Sequence, residues 1–216
     1  MRVVIAGGHG NIALRLERQL AATGDQAVGI IRNVAHAAEL RDSSAEPVVL
    51  DLENATVDEV AEVLDGADAA VFAAGAGPGS GAARKDTVDR GAAALFGAAC
   101  ERAGVRRHVQ IGSMGVGRPP RPGTDEVFAA YLQAKKAAED ELRSRDLDWT
   151  ILRPGRLTDE DPTGEVHLAD SVDFGAISRE DVASVIVAIL EEGRTFRRTL
   201  EVVGGNTPIA EAIARI

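Results

Sequence analysis

The stretch Arg2-Val3-Val4-Ile5-Ala6-Gly7-Gly8-His9-Gly10-Asn11-Ile12-Ala13 decides the fold. Its first five residues, rich in Val and Ile, read as a short buried strand, and the glycines after them read as a turn into a helix. A helix start presents backbone N–H groups with no intrahelical acceptor, and glycine lets another group come close to the main chain. Gly7 and Gly10 supply the tight turn and the close approach, and the small Ala13 lets the helix lie on the strand. Strand, glycine turn and helix in that order suit a pyrophosphate held close to Gly7 and Gly10; without that context the glycines would be only a tight turn.

Beyond that stretch, short β-branched runs alternate with longer helical patterns almost to the last residue. Further strands are expected at 26–31, 47–50, 69–73, 107–111, 149–152 and 199–203. Several are unbroken apolar runs, as strands covered on both faces are. Asn33 is placed to cap the second helix, Thr56 with Glu59 to form a capping box on the third, and Ser178 with Asp181 to open a late one. Val88, Ala92, Leu95, Phe96 and Ala99 recur at helical spacing and mark one buried face. The alternation predicts an α/β fold: one Rossmann-type domain over residues 1–216, with a doubly wound parallel β-sheet flanked by helices. The long stretch 154–176 lacks clear periodicity and is expected to form a substrate lid.

Composition narrows the partners. A net charge of −10 argues against nucleic acid and anionic membrane surfaces. No apolar run approaches membrane-spanning length, and Met1–Gly8 enters a strand with no signal-peptide pattern, so the cytoplasm is the expected location. The sequence sets no oligomeric state. Cys100, the single cysteine, forms no internal disulfide and lies in a helical pattern, where it is expected to pack as a small hydrophobe. His9, His36, His108 and His167 show no metal-ligand spacing, so no metal is expected. His9 is read as a turn residue whose backbone N–H matters.

After the second strand the chain reads Ile30-Ile31-Arg32-Asn33. An NAD site puts an Asp or Glu there for the ribose 2′-hydroxyl, whereas Arg32 offers a guanidinium fork for a 2′-phosphate. NADP is therefore expected over NAD, with a solvated surface arginine as the competing reading. Asp51-Leu52 closes the third strand, at the sheet edge where an adenine would lie. Gly75 begins a second glycine-rich loop, 75–81, suited to ribose and phosphates or else merely flexible.

Tyr131, the only tyrosine, and Lys135 stand four residues apart, on one helix face. A phenol beside an ammonium is a workable proton donor for a carbonyl that accepts hydride. An edge-packed tyrosine and a surface lysine are the plain alternative. Ser113 follows the fifth strand, at the carboxyl end of the sheet where ligands bind, and its hydroxyl is suited to hold a substrate oxygen. Asp89 falls in the first turn of the fourth helix, where a helix-dipole role is also open.

Taken together, GGHGNIA, AAGAGPGSG with KDTVD, the Ser113 strand end, YLQAK, LDWTILRPGRLTDEDPTG, SREDVA and VVGGNTPI resemble the atypical short-chain dehydrogenase/reductases. The nearest likeness is the NAD(P)H-binding subgroup related to biliverdin reductase B and flavin reductase, and it runs over essentially the whole chain. The resemblance implies a Rossmann fold and cofactor contacts at Gly7, Gly10, Asn11, Ile12, Arg32, Asp51, Leu52, Ala74 and Gly75, with Pro154 near the nicotinamide. It implies a catalytic set of Ser113, Tyr131 and Lys135, with Asp89 where reductases of the wider superfamily carry Asn. The expected function is NADP-dependent hydride transfer to a small carbonyl, quinone or flavin-like acceptor. A non-catalytic NADP-binding redox sensor is the alternative, and a nucleotide-sugar epimerase the third reading.

Overall fold

The computed structural model describes residues 1–75, 77, 84–118 and 125–216, the side chain of Lys85 excepted. Strand β1 (Arg2–Ala6) leads through the glycine turn into α1 (Ala13–Ala22), and the chain returns as β2 (Gln26–Ile31), parallel to β1. A 3-10 turn at Val34–His36 precedes α2 (Ala37–Asp42), β3 (Ala45–Val49), α3 (Val57–Leu64) and β4 (Ala69–Phe72). A π-helix at Lys85–Ala92 runs directly into α4 (Ala93–Ala103), followed by β5 (Arg107–Ile111), α5 (Glu126–Arg143) and β6 (Asp148–Pro154). Short β7 (Arg156–Thr158), β8 (Glu165–Ala169) and β9 (Ala176–Ser178) come before α6 (Arg179–Leu190), β10 (Arg198–Gly204), β11 (Thr207–Pro208) and α7 (Ile209–Ala214).

Among the described residues the main sheet has the order β11-β8-β10-β6-β5-β4-β1-β2-β3. From β3 to β10 every pairing is parallel. The order turns back between β1 and β4, the point at which such sheets open a crevice beyond their carboxyl ends. The all-parallel expectation is corrected at one edge: β8 pairs antiparallel with β10, and β11 antiparallel with β8. Only β8 runs against the other strands, and with β11 it lies at the edge, where an antiparallel strand is readily added to a parallel sheet.

The pleat divides the core. Val3 and Ile5 point to the face covered by α1 and α6, where they meet Leu16, Leu20, Val182 and Ile186. Val4 and Ala6 point to the other face, with Val60, Phe96, Cys100 and Leu142 from α3, α4 and α5. Of the face expected for the fourth helix, Val88, Ala92, Phe96 and Ala99 are buried and Leu95 is partly so. Cys100 is fully buried as expected, with its Sγ 3.5 Å from His108 Nδ1. Burial pushes the thiol up and holds the imidazole down at about 3, so neither is poised for chemistry near neutrality.

Two of the three caps form as read, and Asn33 caps the 3-10 turn before α2 in place of α2 itself, whose N-cap His36 makes no side-chain cap bond. Asn33 accepts the Ala35 N–H, Thr56 and Glu59 complete a reciprocal box, and Ser178 accepts the Asp181 N–H. The stretch 154–176, expected to lack regular structure, contains β7 and β8 and is pinned at its middle. The Asp181 carboxylate accepts N–H bonds from Thr163 at 3.1 Å and Gly164 at 2.9 Å. The three-residue β7 and the long-range anchors leave no periodic mark in a sequence, whereas β8 does alternate, with Val166 and Leu168 buried beside exposed Glu165 and His167.

Candidate functional site

A cleft of about 290 Å³ opens at the switch point, lined by the β1 turn, the ends of β2, β3 and β4, and the π-helix. The turn is made by backbone bonds. Gly7 and Gly8 donate to Ile30 O at 3.1 and 3.0 Å, and Gly10 donates to Gly7 O at 2.8 Å. Gly7 adopts φ +80°, and a β-carbon there would lie 2.7 Å from Ala74 Cα. Gly8 has a reason the sequence did not disclose: its β-carbon would lie 2.7 Å from Gly29 Cα, because the turn crosses β2 at a second glycine. Leu14 N–H is the first of α1 to bond back, to Gly10 O at 2.9 Å. The N–H groups of Asn11, Ile12 and Ala13 precede it, the donors a helix start offers to an anion.

Gly7, Gly10, Arg32, Asp51, Leu52, Ala74 and Gly75 all line this cleft. Asn11 is exposed beside it, and Ile12 packs partly against the core. In the second glycine-rich loop Gly75 and Gly77 are described, whereas Ala76 and residues 78–83 lie outside the described residues. Asp51 shapes its own turn, accepting Glu53 N–H at 3.1 Å and the Asn54 side-chain amide at 2.6 Å.

Among the lining residues with polar side chains, sequence reading missed four: His9 as a side chain, His36, Glu53 and Arg84. The rings of His9 and His36 stack with centroids 3.6 Å apart, and His9 Nε2 stands 3.0 Å from Glu39. A carboxylate does reach the end of β2, from the loop after β3: Glu53 Oε2 lies 3.3 Å from Arg32 and 3.1 Å from Arg84. One signal was available. Parallel neighbours end at one edge, and Leu50 N–H does bond Ile31 O at 2.8 Å, so residues after β3 had to meet Arg32.

The candidate catalytic residues stand outside the lining of that cleft, toward β5 and α5. Tyr131, Lys135 and Glu139 follow one another at four-residue steps on α5. Glu139 is fully buried and bonds Arg153 Nε on β6 at 3.0 Å and Arg143 at 2.9 Å, which clamps the helix to the sheet. Gly112 passes over that clamp, since a β-carbon there would lie 2.7 Å from Glu139 Oε1. Lys135 is buried; its Nζ donates to Ile111 O at 3.1 Å and pairs with Asp89 Oδ1 at 3.3 Å. Asp89 is fully buried in the π-helix, and a β-carbon on Gly75 would stand 3.3 Å from its Oδ1. The Lys135 ammonium also lies 5.9 Å from the Tyr131 ring centroid, and that half-buried ring stacks on Phe128 at 5.8 Å. Ser113 is half-buried, its hydroxyl 3.3 Å from Met114 O. Pro154 ends β6, where its carbonyl accepts Met114 N–H at 3.1 Å.

Beneath the turn lies one more group. Glu17 of α1 is fully buried, neither carboxyl oxygen has a hydrogen-bond partner among the described residues, and burial pushes its pKa up to about 8. Its Oε1 would be 3.0 Å from a β-carbon on Gly8 and 2.7 Å from one on Gly29.

A strand-order reversal, a glycine turn and a helix start facing one cleft define a Rossmann-type NAD(P)-binding protein. A profile of the NAD(P)H-binding family matches residues 7–193, and the chain belongs to that family. It is 33% identical to the "Uncharacterized sugar epimerase YhfK" of Bacillus subtilis, covering all of both chains. A solved structure from Bacillus halodurans, provisionally named an NAD-dependent epimerase/dehydratase, shares 35% identity and a TM-score of 0.92 over the whole of both chains. The fold is also that of a protein from Streptococcus pneumoniae provisionally named an NADH-flavin reductase, with 21% identity, a TM-score of 0.76, and 95% and 100% of the two chains covered. The NAD(P)H-binding family to which the motifs pointed is therefore the chain's own. Among the described residues no helix is long and apolar enough to cross a membrane.

Proposed function

We propose that the chain is an NADP(H)-dependent oxidoreductase that reduces a small carbonyl, quinone or flavin-like acceptor. The observation that carries this reading is the placement of Tyr131 and Lys135 on one face of α5, joined through buried Asp89 to the loop that borders the cleft. Gly7, Gly10 and the first N–H groups of α1 suit a pyrophosphate, and Arg32 and Arg84 suit a 2′-phosphate. A bound nicotinamide would supply the hydride. In the proposed roles Tyr131 gives its hydroxyl proton to the acceptor oxygen, Ser113 orients that oxygen, and Lys135 positions the phenol. The 154–176 segment, pinned at its middle by Asp181, would border the acceptor.

One feature favours the sensor alternative. Lys135 already balances its charge against Asp89, which weakens the help an ammonium gives a neighbouring phenol. Steady-state NADPH consumption against parallel carbonyl, quinone and flavin panels separates the two. Turnover of any panel supports the oxidoreductase; tight NADPH binding with no turnover on any panel makes the protein a sensor.

A further inference from the structure

Glu53 occupies a place that a phosphate could fill. The Asp51–Asn54 turn is held by the Asp51 carboxylate and projects Glu53 into the cleft beside the end of β2. There its Oε2 bridges two guanidinium groups from distant parts of the chain, Arg32 at 3.3 Å and Arg84 at 3.1 Å. Its Oε1 accepts the Thr87 hydroxyl at 2.7 Å, so both oxygens are engaged. The three charged side chains remain open to solvent, at 56% exposure for Arg32, 36% for Arg84 and 23% for Glu53.

We propose that Glu53 sets the choice between the two nicotinamide dinucleotides, a reading that rests on the dinucleotide site proposed above. A 2′-phosphate entering between Arg32 and Arg84 must take both cations from Glu53 and then lie beside a negative carboxylate. A 2′-hydroxyl has no such cost, because it donates to the carboxylate that is already there. Glu53 thus holds down affinity for NADPH and gives NADH an anchor, while the two arginines pull the other way. The residue acts from the loop after β3, not from the end of β2 where a ribose-binding acid is usually sought. Solvent exposure keeps each effect moderate and sensitive to salt.

The test is a fluorescence titration of NADPH and NADH against the wild type, Glu53→Gln and Arg84→Gln, at low and high ionic strength. Glu53→Gln should tighten NADPH by about 5- to 10-fold and weaken NADH by about 3- to 10-fold, the worth of one charged contact at an exposed rim. Arg84→Gln should move the NADPH-to-NADH preference the opposite way by about tenfold, and high salt should shrink both changes. Wild-type binding with a preference that Glu53→Gln leaves unchanged would overturn the role of Glu53 alone. A wild type that binds neither dinucleotide would remove the dinucleotide site, and the selector with it.

Discussion

Glu17 shows how much one residue can couple stability to pH. Its carboxyl is fully buried without a partner, and burial raises its pKa from 4.5 to about 8, with Arg18 pulling weakly the other way. The folded state therefore holds a proton that the unfolded chain releases. The stability that the proton brings is full below pH 4.5 and is lost as pH rises toward 8. At neutral pH the loss is on the order of 3 kcal/mol, a large share of a domain's margin. Glu17→Gln keeps the shape and removes the titration. Its melting temperature should change much less than that of the wild type between about pH 5 and pH 8.5. Parallel pH slopes for the two proteins would show that Glu17 is ionised, or solvated, in the native state. Tyr131 carries the chemical prediction at the same scale. Tyr131→Phe removes one oxygen, so NADPH affinity should hold while carbonyl turnover falls by roughly 10²–10⁴. An unchanged rate on a good carbonyl substrate takes Tyr131 out of the mechanism.

At the scale of elements, the β1–α1 turn and α5 do different work. The turn brings backbone close to backbone, and its glycines differ in tolerance. Gly7 has no room for a β-carbon, whereas one on Gly10 would meet Gly7 O at 3.1 Å and otherwise only contacts beyond 3.7 Å. Gly10→Val should therefore fold, with some loss of melting temperature, and fail to bind NADPH because its methyl groups stand where the phosphates approach. Undiminished binding by a folded variant would place the site elsewhere. Helix α5 works through side chains, with Tyr131 toward the candidate chemistry, Lys135 buried against Asp89, and Glu139 locked to Arg153 and Arg143. Breaking a buried pair of that kind costs about 3–5 kcal/mol. The proposed catalytic geometry therefore depends on a clamp two turns away.

For the molecule as a whole, the cleft is built from the ends of β1 to β4 and from the π-helix, so no single element contains it. A ligand bound there should stabilise the whole domain cooperatively. NADPH at a hundred times its dissociation constant should add about 2.7 kcal/mol and raise the melting temperature by roughly 5–10 °C. A saturating titration with no thermal shift would count against this cleft as the site.

The order of elements was legible from the chain because it rests on local chemistry. β-branched runs marked every parallel strand of the sheet, and Asn33, Thr56 and Ser178 capped helices as their side chains dictate. The glycine turn and the neighbourhood of Arg32, Asp51 and Gly75 were legible for the same reason, since strand ends in a parallel sheet fall at one edge. Ser113, Tyr131, Lys135 and Asp89 were found as candidates, but the pairing of Lys135 with Asp89 was not. Their contact spans 46 positions and depends on how α5 packs on the π-helix. The same holds for Glu53 between Arg32 and Arg84, for Glu17 beneath Gly8 and Gly29, and for the antiparallel edge pairings of β8 with β10 and β11. Spacing and propensity act over one or two turns of chain, and they determined the strands, the caps and the glycine turn. Which charges meet, and which carboxyl is buried without a partner, was decided only when the layers packed.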